Sequence, residues 1–418
     1  MRLLESPLYL FYFKHYLLRK KAFQHYCRIR HIRNRGKAVV AFIVSALPMW
    51  RGQGVYDLLR NDSRFDPIII LLPFSLYSEA EKQACLKQMH DHFSTLKIPV
   101  VDLSSKNNIN QYLRKEINPD ILFYPQQYYY LYENGADSFL FEDRLLCFIP
   151  YSLNIINEPW IYNQRFNNVA WRIFYPSSFD FESGKRYSLS HGHNIRIVGN
   201  PTADYFLSPN HPSVWKEQET VKKRIIWAPH FSINPDSLIP RGSFLSLAEE
   251  MVLISEQFQS HFQFAFKPHP RLATELYNHP GWGKERTDAY YNKWATGVNT
   301  QLETGSFIDL FMSSDAMIHD SVSFSAEYHY SHNPVLFTTQ NINQVNDQLN
   351  ELGRCAIDAH YVGSGYNDII NFLNKVVLAG EDPLQEKRQS FFYNYLLPPS
   401  GYTVAENIYQ EIVTSIWG

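Results

Sequence analysis

The stretch SDAMIHDSVSFSAEYHYSHNPVLF, residues 314–337, passes from an apolar run through a polar turn and a helical stretch into a second apolar run that starts at Pro334. That order predicts strand, turn, helix and parallel strand, the unit of an α/β fold. The turn after such a strand is where α/β proteins hold anionic ligands, because unpaired helix amides and the sheet's carboxyl edge meet there. Asp320, Ser321 and Ser323 lie in this turn, with Glu327 one helical turn further on. Hydroxyls and amides can hold a diphosphate, and the two carboxylates can take ribose or sugar hydroxyls.

Two upstream stretches repeat the pattern. FQFAFKPHP, residues 262–270, reads as a strand running into a Lys-Pro-His-Pro turn with Arg271 behind it. RIIWAPHFS, residues 224–232, is another apolar strand, ending in Pro229 and His230. Three consecutive strands that each end in a polar turn would gather His230, Lys267, His269, Arg271 and Asp320 at one sheet edge. The plainer alternative is that the prolines end strands for steric reasons and the histidines are solvated turn residues. Taken alone, His230 fits either reading.

The first half of the chain shows the same alternation. KAVVAFIVSAL, residues 37–47, is a continuous β-rich run such as a doubly covered parallel strand requires. Further strands are expected at 67–72, 98–103, 120–124, 145–150, 172–178 and 194–201, with helical stretches such as 78–94 between them. The predicted organisation is a basic, aromatic opening segment (1–36), a Rossmann-like domain (37–206), a linker (207–223) without apolar periodicity, a second Rossmann-like domain (224–400) and a final helix (401–418). Val404, Ile408, Ile412 and Ile416 give that helix one apolar face.

APH at 228–230, KPHP at 267–270 and IHDSVSFSAE at 318–327 resemble the motifs of the CDP-glycerol glycerophosphotransferases of bacterial wall and capsule synthesis. On that comparison His269 stands for the family's motif His, Asp320 and Ser323 for its Asp and second Ser, and Glu327 for a later Asp. Val322 replaces the first Ser and His230 replaces a Thr. GNPTAD, residues 199–204, resembles the family's domain junction, with Thr202 in place of Arg. The resemblance covers about a third of the chain, roughly residues 195–337, and implies a GT-B-like pair of domains with the reaction in the cleft between them. The final helix would then cross back to the first domain. The family's amino-terminal half carries a His-Gly-Thr-Pro segment whose His is assigned as catalytic base, yet residues 148–168 here contain no His.

Transfer from a nucleotide diphosphate requires a base for the acceptor hydroxyl and positive charge for the leaving phosphates. The expected donor set is His230, Lys267, His269, Arg271 and Ser321, with Asp320 and Ser323 fixing the turn and Glu327 on ribose or the transferred group. Position in the INEPW loop makes Glu158 the candidate base. Arg51, Gly52 and Gly54, in the loop after the first strand, are candidate acceptor contacts, although two glycines also suit a plain turn. Tyrosines in QQYYYLYENG, residues 126–135, and Trp160 can stack on sugar rings or simply pack. Three functions stay open. One is transfer of glycerol phosphate or a related polyol phosphate from a CDP-alditol to a cell-envelope or capsular glycan. The second is sugar transfer from a nucleotide sugar to a polysaccharide or lipid-linked acceptor. The third is non-catalytic binding of nucleotide or glycan.

Composition narrows the partners. A net charge of -2 over 418 residues gives no overall field for nucleic acid, while 45% hydrophobic and 16% aromatic residues suffice for two cores. The charge is unevenly spread: residues 1–37 hold ten Lys or Arg against Glu5 alone, which leaves the remainder at -11. Interleaved with Leu8, Phe11, Tyr12, Tyr16 and Phe23, these bases suit a membrane interface, although the segment could also pack as an ordinary helix. Lys14 and His15 interrupt the apolar run, so it does not span a bilayer, and it lacks the order of a secretory signal. A cytoplasmic protein, peripheral on the membrane, is expected. Cys27, Cys85, Cys147 and Cys355 are scattered without ligand spacing, which predicts buried reduced thiols and no zinc or disulfide framework. The pairs His191/His193 and His329/His332 lack neighbouring carboxylate or thiolate spacing and read as loop or helix-surface residues rather than metal ligands. No cofactor is expected.

Overall fold

The computed structural model describes residues 7–106, 108–132, 141–234 and 242–418. Readings that involve residues 1–6 or 133–135 lie outside them. The fold is α/β and GT-B-like, with two parallel sheets, each interspersed with helices. The chain divides into unit 1, comprising Met1–Ser152, Glu158–Asp204 and Pro398–Gly418, and unit 2, comprising Leu153–Asn157 and Tyr205–Leu397.

Unit 1 is built on seven strands: β1 Ala38–Val44, β2 Phe65–Leu71, β3 Val100–Asp102, β4 Ile121–Tyr124, β5 Leu145–Phe148, β6 Arg172–Tyr175 and β7 Ile195–Ile197. They are all parallel, in the order β3-β2-β1-β4-β5-β6-β7. Six of the seven residues of β1 are buried, as expected of an apolar run covered on both faces. Pro67 is tolerated inside β2 because β3 pairs only with Ile69, Ile70 and Leu71, so the missing N–H interrupts no ladder there. The final helix, Val404–Trp417, belongs to this unit and buries Val404, Ile408, Ile412 and Ile416, the four positions of its apolar stripe.

Unit 2 carries β8 Lys223–Ala228, β9 Phe262–Phe266, β10 Thr300–Leu302, β11 Ala316–His319, β12 Val335–Thr338 and β13 Tyr361–Gly363, again parallel, in the order β10-β9-β8-β11-β12-β13. Aromatic residues fill its core. Trp227 is fully buried and stacks on Phe266 at 4.9 Å and on Phe244 at 5.7 Å between ring centroids. In both sheets the strand order reverses beside the first strand, at β1/β4 and at β8/β11. At such a reversal the crossover connections leave in opposite directions and open a crevice.

Three expectations are corrected. Part of the stretch expected as a linker is seated on unit 2. Lys216 donates to the carbonyls of Ala295 and Thr300, His211 pairs with Asp309, and Trp215 is buried, so polar anchoring substitutes for apolar periodicity. Of the four thiols only Cys147 is buried, and Cys27 is exposed. His329 is not a surface residue: it is fully buried, with His360 4.9 Å away between ring centroids and His319 5.3 Å beyond that. The sequence does not announce the segment Leu153–Asn157 at all. It joins unit 2 through an antiparallel bridge between Ile156 and Leu349 and through the Asn350 side chain on the Asn154 carbonyl at 2.7 Å.

Candidate functional site

The reversal in the second sheet brings together most of the residues expected there. Strands β9, β8 and β11 are neighbours in the sheet although β10 lies between β9 and β11 in sequence, so the three polar turns share one edge despite not being consecutive. Trp227 pairs with Phe266 and Ala228 with His319, which sets the strand ends level. Main-chain bonds extend the ladder into the turns: Lys267 N–H donates to Trp227 O at 2.8 Å and His269 N–H to Pro229 O at 3.0 Å.

Asp320 ties the turns together from below. Its carboxylate accepts the backbone N–H of His230 at 2.5 Å, the backbone N–H of Ser243 at 2.5 Å and the Ser243 hydroxyl at 2.9 Å. Burial pushes this carboxyl up to about 6 against the pull of those bonds, so at neutral pH it is ionised. Both oxygens are thus directed at the chain itself, which makes Asp320 a residue that fixes loops. Ser243 precedes the helix Phe244–Gln257 at the position of a cap, but its side chain makes no capping bond and instead serves Asp320 and, at 2.7 Å, Thr338. A Ser directly before an apolar helical run was the signal for it, and it reads as an ordinary cap.

Above Asp320 two imidazoles face each other, with His230 and His269 ring centroids 5.0 Å apart and Phe231 4.5 Å from His269. The Ser232 N–H donates to His230 Nδ1 at 3.3 Å and the Arg271 N–H to His269 Nδ1 at 3.1 Å. An Nδ1 that accepts leaves the proton of the neutral ring on Nε2. Burial, reinforced for His230 by the charges of His269 and Arg271 and for His269 by those of Arg271 and Lys267, holds both at about 4. Both rings are therefore neutral at pH 7, His269 as an Nε2–H donor, while the His230 Nδ1 also meets the Ser232 hydroxyl at 2.9 Å. Arg271 lies over the Phe231 ring at 4.2 Å and reaches Glu275 at 2.8 Å, with 63% of its side chain exposed.

Lys267 is buried and donates to the Gly305 carbonyl at 2.6 Å; burial lowers its pKa, opposed by the charge of Glu303. Ser321 and Glu327 are buried at the two ends of the helix Val322–Glu327, while the Ser323 side chain lies outside the described residues. Among the described residues no group of three His, Cys, Asp or Glu side chains is disposed to hold a metal ion.

The remaining candidates belong to unit 1. Trp50, Arg51, Gly52, Phe123, Pro125 and Ile149 line a crevice at the β1/β4 reversal. Arg51 donates to the carbonyls of Trp50 at 2.9 Å and Tyr151 at 3.1 Å. Gly54 faces the final helix: a Cβ on it would stand 2.7 Å from the Ala405 Cβ, which gives this glycine a packing role. Glu158 is half-buried before the short helix Pro159–Asn163, and its charge adds to the burial that raises the Tyr128 pKa. The Tyr128 ring lies 5.7 Å from Tyr130 and 6.0 Å from Trp160.

No protein-family model matches the chain, and no curated protein matches it. Solved structures do match in fold. A variant of the wall teichoic acid polymerase TagF aligns with a TM-score of 0.60 at 13% identity, over 96% of this chain and 95% of that one. A putative UDP-N-acetylglucosamine 2-epimerase from Listeria monocytogenes aligns with a TM-score of 0.57 at 15% identity, over 91% and 96%. The UDP-GlcNAc 2-epimerase from Neisseria meningitidis, bound to UDP-GlcNAc, aligns with a TM-score of 0.54 at 14% identity, over 91% and 100%. These likenesses establish the GT-B-like fold.

Proposed function

We propose that this protein is a nucleotide-dependent transferase of cell-envelope glycan synthesis, with its donor site at the β8/β11 reversal of unit 2. The observation that carries the reading is the pair of neutral imidazoles, His230 and His269, 5.0 Å apart between ring centroids at the carboxyl edge of a parallel sheet, with Arg271 over the neighbouring Phe231 ring. Donors of this kind stabilise the charge that develops on a leaving phosphate. Lys267 adds a buried positive charge, Asp320 and Ser321 hold the turn, Ser323 helps to bind the phosphates and Glu327 takes ribose or the transferred group.

The preferred donor is a CDP-alditol such as CDP-glycerol, a choice supported by the motif resemblance across β8, β9 and β11. An acceptor hydroxyl oxygen then attacks the phosphorus that carries the alditol. The new O–P bond forms as the bond to CMP breaks, CMP leaves with the electron pair, and a base takes the hydroxyl proton. Glu158 is assigned as that base and Arg51 and Gly52 as acceptor contacts. Gly54 is assigned to packing.

A specific observation favours a second reading, sugar transfer from a nucleotide sugar: residues 148–168 contain no His where the glycerophosphotransferases carry their base. A thermal-shift panel of CDP-glycerol, CDP-ribitol and CMP-, UDP- and GDP-sugars, run on the protein and on His269→Ala, separates the two. Stabilisation by a CDP-alditol that disappears in the variant is expected. Stabilisation by another nucleotide sugar moves the protein to the sugar transferases, and silence throughout overturns the donor site.

A further inference from the structure

Residues Pro7–Tyr12, the π-helical turn Phe13–Leu17 and Leu18–Arg35 follow one another as a single helical run, closed by Gly36 in the left-handed conformation. One side is strapped to unit 1. Leu17 packs with Val169, Lys21 pairs with Glu142 at 2.9 Å, Arg28 pairs with Asp120 at 3.4 Å, and Ile32 is fully buried. The other side is left open. Leu8, Phe11, Tyr12, Tyr16, Phe23 and Tyr26 are each at least 50% exposed.

Bases share that open side. Arg19, Lys20 and Arg30 are exposed, and no Asp or Glu occurs between Pro7 and Arg35. Tyr12 and Tyr16 lie 5.3 Å apart between ring centroids, with the Lys20 ammonium 5.9 Å from the Tyr16 ring, so aromatic and cationic groups alternate down one face. No helix among the described residues is long and apolar enough to cross a membrane.

We propose that this face docks on an anionic lipid surface, with the helix lying in the interfacial plane. Tyrosine rings suit the headgroup level, Leu8, Phe11 and Phe23 reach the acyl boundary, and the bases neutralise lipid phosphates. A second copy of the chain is the poorer occupant, because a twofold contact would set Arg19, Lys20 and Arg30 against the same charges. Nucleic acid would take the bases but gains nothing from an exposed leucine and two phenylalanines, and the chain beyond residue 37 carries a net charge of -11. The proposal does not depend on the donor chemistry.

The test is co-sedimentation of the full chain with phosphatidylcholine vesicles, with and without roughly a third phosphatidylglycerol. Binding to the anionic vesicles is expected to be at least about tenfold tighter than to the neutral ones, and to weaken severalfold between about 0.1 M and about 0.5 M salt. Two combined variants, Phe11→Ser/Tyr16→Ser/Phe23→Ser and Arg19→Gln/Lys20→Gln/Arg30→Gln, should each lose that binding while keeping the parent's thermal midpoint. Failure to bind anionic vesicles, or binding that both variants retain, overturns the proposal. So does dimerisation that the aromatic variant abolishes, which assigns the face to a second copy, or preferential binding of duplex DNA.

Discussion

The backbone N–H of His230 donates to the Asp320 carboxylate at 2.5 Å, so the turn after β8 is held by the turn after β11 across the point where the strand order reverses. Removing the carboxylate leaves the amides of His230 and Ser243 buried without an acceptor, at roughly 1–3 kcal/mol for each. Asp320→Ala should therefore show a lower urea midpoint and weakened donor binding together, and Asp320→Asn, which keeps one carbonyl oxygen, should lie between. An Ala variant as stable as the parent would remove the turn-fixing role.

His269 acts through its Nε2–H in this reading, and a glutamine amide can place an N–H near the same position. Turnover by His269→Ala should fall by about 100-fold or more, and His269→Gln should recover a measurable part of it. Equal loss in both variants would instead point to a proton-transfer role for the ring.

The close approach of Gly54 to Ala405 predicts a reciprocal pair. Gly54→Ala should cost about 1–3 kcal/mol through overpacking, and Ala405→Gly in the same chain should restore most of it. Unchanged stability of the single variant, with loss of acceptor use, would return Gly54 to the acceptor site.

Buried histidines set the acid limit of the fold. Burial depresses His25, His230 and His269 from 6.5 to about 4 and His319 to about 3, so the unfolded chain takes up protons near 6.5 that the folded chain refuses. Their contribution is present above pH 6.5 and is lost as the pH falls from there toward 4. Asp180 and Asp320, raised from 3.8 to about 6, work in the opposite sense and offset part of the loss. The thermal midpoint should fall through this window, and a rise over the same range would contradict the balance.

Donor binding through imidazole N–H groups, Lys267 and Arg271 should persist in EDTA. Complete loss, restored by Mg²⁺, would show that a cation carries the phosphates instead.

The α/β fold was legible because most of the strands carry apolar runs or run into proline, as at Ala228-Pro229 and Phe266-Lys267-Pro268, whereas Thr300–Leu302 and Tyr361–Gly363 carry neither signal and were not expected. The grouping of His230, His269 and Asp320 followed from their shared place after such runs. Ser243 was hidden because its partner is 77 residues away and its local context is that of a helix cap. His329 was misread because a His between two tyrosines at a helix end gives no local sign of burial, which here comes from residues 27–31 positions further on and from Phe391. The packing of residues 211–218 depends on lone polar anchors, which leave no periodic trace.

The final helix has a consequence for how the protein is made. Val404, Ile408, Ile412 and Ile416 belong to the unit that also contains β1–β7, so the unit whose strands leave the ribosome first cannot close until residues beyond 400 have been synthesised. Domains usually fold in order of emergence. In this chain the seven-stranded unit stays without its final helix while the whole of β8–β13 is translated, so the seat of that apolar stripe is the last part of the unit to be covered.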